Sequence, residues 1–70
     1  MYTLNYMAPG RTRFNQMIEI RPDGDTYVTT KLLCASMWLS EQKAIEARDK
    51  LQAQLDAPGG AGGALKVVQR

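Results

Sequence analysis

One cysteine and no histidine are the tightest constraint in this sequence. A chain of 70 residues buries only about 60% of its unfolded surface and draws roughly 3–5 kcal/mol from its core. Small proteins usually make up the difference with disulfides, a metal or a partner chain. Cys34 alone cannot close a disulfide framework, and a structural zinc site would lack its usual ligands. An idealised core or a partner remains, and a partner is expected.

Nine Lys/Arg against seven Asp/Glu give a net charge of +2, too small to advertise a polyanion as the target. The charges are spread over both halves, so there is neither a basic arm nor an acidic tail. A hydrophobic fraction of 44% suits a folded domain better than a disordered chain. Apolar runs are only a few residues long, which implies no membrane span. The first residues lack a charged segment followed by an apolar one, so no signal peptide is expected. With a free cysteine, this points to a reducing, cytoplasmic setting.

The first forty residues read mainly as strands. Tyr2, Leu4 and Tyr6 alternate with Thr3 and Asn5, the period of a half-buried strand. Pro9-Gly10 supplies a turn. Phe14, Ile18 and Ile20 share one parity of the next segment, opposite Arg13, Asn15, Glu19 and Arg21. Pro22-Asp23-Gly24-Asp25 is a hairpin turn between two β-prone runs, and Tyr27 to Thr30 continue as a strand. Lys31 to Leu39 has no β-branched residue, so two readings compete. Either the third strand ends near Leu39, or one long helix runs from about Thr30 to Ala57. The first is preferred because Ser40 has the character of an N-cap, with Glu41 in the first turn. Ala44, Ala47, Leu51 and Leu55 then repeat at helical spacing up to Pro58-Gly59.

The expected fold class is α+β: a three-stranded antiparallel meander with one helix on one face, in the order β-β-β-α. Residues 1–57 form the domain and 58–63 a Gly-rich connector. Residues 64–70 are a C-terminal strand or a tail. The expected core is Leu4, Tyr6, Phe14, Ile18, Ile20, Val28, Leu32, Trp38, Ile45, Leu51 and Leu55.

Catalysis is not expected. Without histidine there is no Ser-His or Cys-His pair, and Cys34 lies in an apolar run where a buried, inert thiol is the natural reading. Asp23 and Asp25 have turn chemistry as their explanation. Asp23-Gly24-Asp25 lacks the spaced ligands of a calcium loop, and no Gly-Lys-Ser/Thr follows the glycine-rich stretch. No metal and no cofactor are expected.

Two binding readings remain. Arg11, Arg13, Arg21 and Lys31 on one sheet face could contact DNA, since arginine reads guanine edges. Three strands and a helix are also similar to domains that place a sheet in the major groove. Glu19 interrupts that row, and a solvated polar face explains it as well. If Val28, Leu32 and Trp38 join the core, parity puts Met17, Tyr27, Leu33 and Met37 outside. Apolar and aromatic residues interleaved with arginine match the composition of protein interfaces. A protein interface through Met17, Tyr27, Leu33 and Met37 is therefore the main expectation, with another protein as partner and a homodimer as a further one. In size and character the chain resembles small accessory and inhibitor proteins carried by phages and mobile elements, including anti-CRISPR proteins. That resemblance covers no particular residues and carries no site across.

Overall fold

A computed structural model describes residues 1–70. Its strands are β1 (Tyr2–Met7), β2 (Gln16–Ile20), β3 (Thr26–Thr29) and β4 (Ala64–Gln69), with one helix, α1 (Glu41–Asp56). They form a single four-stranded antiparallel sheet in the order β3-β2-β1-β4. The fold is α+β with the expected β-β-β-α order, and residues 64–69 complete it as a full strand along β1.

The local signals work as chemistry dictates. The Arg11 amide donates to the Ala8 carbonyl at 3.0 Å and closes the Pro9-Gly10 turn. At the β2–β3 hairpin, the Gly24 amide donates to the Arg21 carbonyl and the Arg21 amide to the Asp25 carbonyl. Gly24 stands at φ +90°, where a side chain would be strained. The Ser40 hydroxyl accepts from the Lys43 amide at 3.3 Å, so it caps the helix as expected.

Strand alternation sorts the side chains. Leu4, Tyr6, Ile18 and Leu65 lie on one face and form the buried cluster, with Ala47, Leu51 and Leu55 of α1, and Trp38, packed against it. The helix lies across β1 and β4. Residues 57–63 bring the chain straight from the helix end to the free side of β1, which holds α1 over that half of the sheet. A helix is about 10 Å wide and strands are about 4.8 Å apart, so one helix covers two strands.

Several core expectations are corrected by this placement. Ile20 is 38% and Val28 46% exposed, because β2 and β3 lie on the uncovered half. Phe14 precedes β2 and does not follow its parity; its ring stacks with the Lys66 ammonium, 4.8 Å from the ring centroid, on the face away from the helix. Leu32 is 43% exposed, and Cys34 is exposed rather than buried.

The third strand ends at Thr29, and Lys31–Leu39 is neither strand nor helix along its length. It makes a single 3-10 turn at Leu32–Cys34 and then enters a gap in the sheet. β1 and β2 pair only at Asn5–Met17 and Tyr6–Gln16, then splay. Trp38 exchanges two backbone hydrogen bonds of 2.9 Å with Tyr2. Ser36 donates its amide to the Ile18 carbonyl, and its hydroxyl accepts from the Ile20 amide at 2.7 Å. The half-buried Trp38 holds this segment against the core.

Candidate functional site

The uncovered half of the sheet forms the floor of a trough whose wall is one flank of α1. It consists of two adjoining hollows. One, of about 230 Å³, is lined mainly by Tyr6, Ile18, Val28, Leu51, Leu55 and Leu65. The other, of about 290 Å³, is lined by Ile20, Trp38, Ala47 and Lys50 among others. Thr26, Leu51 and Gln54 belong to both, so the hollows run together. Either hollow is large enough for one or two apolar side chains of a partner.

Further apolar surface follows β3. Leu33 is fully exposed on the 3-10 turn, Leu39 is 83% exposed just before the helix, and Met37 is 41% exposed. These residues lie between β3 and α1 in the chain, where the backbone is held by the Ser36 and Trp38 hydrogen bonds described above.

The opposite sheet face is different in kind. Thr3, Asn5 and Met17 are buried there without any layer above them. The Arg70 guanidinium folds back over the face, donating to Thr3 Oγ1 at 3.1 Å, Asn5 Oδ1 at 3.4 Å and Met17 Sδ at 3.4 Å. Asn5 also accepts from the Thr3 hydroxyl and donates to the Phe14 carbonyl, so this polar cluster is internally satisfied. Met17 is thus covered by Arg70 and offers no surface to a partner while that contact holds.

The four expected interface residues do not share one place. Tyr27 sits on β3 with its ring on the Arg70 face, where the Arg21 guanidinium carbon stacks 3.7 Å from the ring centroid, and the residue also contributes to the lining of the first hollow. Leu33 and Met37 lie in the segment after β3, and Met17 is covered. The four basic residues are also divided. Arg11, Arg13 and Lys31 belong to the sheet end where β1 stops and β2 begins, while Arg21 stands at the hairpin end. Arg21 is engaged by Glu19 at 3.4 Å as well as by Tyr27.

Parity alone assigns the floor residues of the trough, Ile20 and Val28, to the core, because it is silent on which strands the helix covers. Reactive chemistry is sparse along the trough: Lys50 is the one charged side chain among its lining residues, joined only by the phenols of Tyr6 and Tyr27. No group of three or more acidic or cysteine side chains is placed to hold a metal ion, and no helix is long and apolar enough to cross a membrane. No protein-family model, curated protein or solved structure matches this chain.

Proposed function

We propose that this protein is a non-catalytic binding module, an inhibitor or adaptor that acts by occluding a surface of another protein. The observation that carries this reading is the trough beside β2 and β3. Apolar side chains line it, and the exposed Leu33 and Leu39, with the partly exposed Met37, add to the accessible apolar surface. Large apolar residues in well-formed hollows are the usual anchors of a protein interface. The phage-accessory character suggested by size and composition fits a chain whose work is to cover something.

DNA binding through Arg11, Arg13, Arg21 and Lys31 is the alternative, and it has less support. The basic residues stand at two ends of the sheet, and Arg21 is tied to Glu19 and Tyr27. Affinity capture from host lysate, with and without nuclease, separates the two. Ile20→Lys and Leu33→Glu should each abolish capture of a protein that wild type retains after nuclease, while Arg11→Ala with Arg13→Ala should not. Leu33 is fully exposed, so its loss cannot be charged to misfolding. Capture that vanishes with nuclease, falls steeply with salt and depends on the arginines would replace this reading with the DNA one.

A further inference from the structure

The two edges of the sheet are not treated alike. At β4 the Gln52 side chain acts as a strand substitute: its amide nitrogen donates to the Gly63 carbonyl at 3.0 Å, and its oxygen accepts from the Leu65 amide at 2.8 Å. The outward backbone groups at the start of that edge are thereby occupied. β3 has no such cover. The Arg21 amide donates to the Asp25 carbonyl, so by antiparallel alternation Thr26 and Val28 turn their N–H and C=O groups away from β2. The strand Thr26-Tyr27-Val28-Thr29 carries no charge and no proline, the devices that normally protect an edge.

The charges flanking this edge are arranged for self-recognition. We infer that β3 pairs antiparallel with β3 of a second copy of this chain, about a two-fold axis at Tyr27. Thr26 then stands opposite Val28 of the second copy, and every outward N–H and C=O of these two residues is satisfied. Shifting the register by one step either way calls on the turn at Gly24 or on Thr30 beyond the strand. In the register centred on Tyr27, the end of the strand that carries Lys31 lies beside the hairpin turn of the second copy, which carries Asp23 and Asp25. Lys31 is extended, at φ −98° and ψ 117°, and follows the end of β3 after a bend at Thr30, so its charge flanks that end of the edge. Both ends of the interface therefore match opposite charges by symmetry. The β4 edge does not offer this: pairing through its uncovered Val67 and Gln69 would set Lys66 against Arg70 of the second copy.

Joining the two sheets at β3 places both troughs on the same face, with the helices at the outer sides. The troughs stay open, so this pairing goes beyond the binding reading and either can fail alone. Four residues of strand make a small interface, and the association belongs to the weak, micromolar class.

Sedimentation of the whole chain across the micromolar range tests it. The mean mass of wild type should rise from one chain towards two. Val28→Pro removes an N–H that β2 does not use, so the fold should persist by circular dichroism while the dimer is lost. Lys31→Glu alone, and Asp23→Lys with Asp25→Lys in one chain, should each weaken association at least about ten-fold. Mixing those two charge variants should restore it, because each supplies the charge that the other now lacks. That rescue cannot come from a folding defect. A wild type that stays monomeric throughout, a dimer that survives Val28→Pro, or a mixture that fails to associate overturns the proposal.

Discussion

Replacing Gly63 by alanine should be among the most damaging small changes available in this protein. Gly63 stands at φ +89°, and a Cβ there would meet the Met7 carbonyl oxygen at 2.6 Å and Tyr6 Cε1 and Oη at 2.6 and 2.7 Å. Neither neighbour can step aside cheaply. Met7 is backbone of β1 paired with Ala64, and the buried Tyr6 donates its hydroxyl to the Gly62 carbonyl at 2.8 Å. The positive φ alone costs about 1–2 kcal/mol for a residue with a side chain. Relieving the clash by lifting the start of β4 also sacrifices the Tyr6 bond, about 0.5–1.5 kcal/mol. The loss is then about 1.5–3.5 kcal/mol, against a total stability of about 0.05–0.15 kcal/mol per residue. For a domain of this size that lowers Tm by about 6–28 °C. Gly24→Ala is the control, since Gly24 has nearly the same φ, +90°, and nothing within 4 Å of its Cβ position. Thermal melts of both variants followed by circular dichroism isolate the packing cost. If the two melt within about 3 °C of each other, the close approach of Gly63 to Tyr6 is not what demands glycine.

Two further substitutions test the placement of the helix and the covered edge. Leu65→Ala should cost about 2–5 kcal/mol in urea unfolding, because Leu65 is 5% exposed under α1, whereas the 38% exposed Ile20 should lose well under half as much on Ile20→Ala; equal losses would mean that the helix layer reaches β2. Gln52→Leu leaves the Gly63 carbonyl and the Leu65 amide without their side-chain partner, so the Leu65 amide should exchange with solvent faster while amides of β1 stay protected; unchanged exchange at Leu65 would show that Gln52 does not brace this edge.

What the sequence made legible was local. The Pro9-Gly10 and Pro22-Gly24 turns, the Ser40 cap and the end of the helix each depend on residues a few positions apart, and each forms as its chemistry requires. The period-two pattern placed Leu4 and Tyr6 correctly because both lie in a regular strand. It misplaced Phe14, which lies before β2 begins, and it could not follow Lys31–Leu39, whose backbone partners are Tyr2, Ile18 and Ile20. The open reading of 64–70 had the same origin: the partner of β4 is β1, at the other end of the chain. Met17 shows how far such a dependence can reach. Its parity puts it on the face away from the helix, as read, yet the Arg70 side chain, distant in sequence, folds over it and closes that surface.

The trough follows from the same long-range fact. A single helix cannot cover four strands, so some half of the helix-side face had to remain open. Which half was decided when β4 joined the free side of β1 and drew α1 with it. Had the last strand paired with β3 instead, Ile20 and Val28 would be core and the β1 side would face water. A chain selected only to stand alone could place polar residues on the uncovered strands, as it does at Thr26. At Ile20 and Val28, it places apolar residues, and Leu51 and Leu55 edge the same trough from the helix. Exposed apolar surface of this kind contributes nothing to an isolated fold that already gains so little from its core. It does contribute once a partner removes it from water, which is why the trough, rather than the divided arginines or the covered Met17, is the surface on which the proposed function rests.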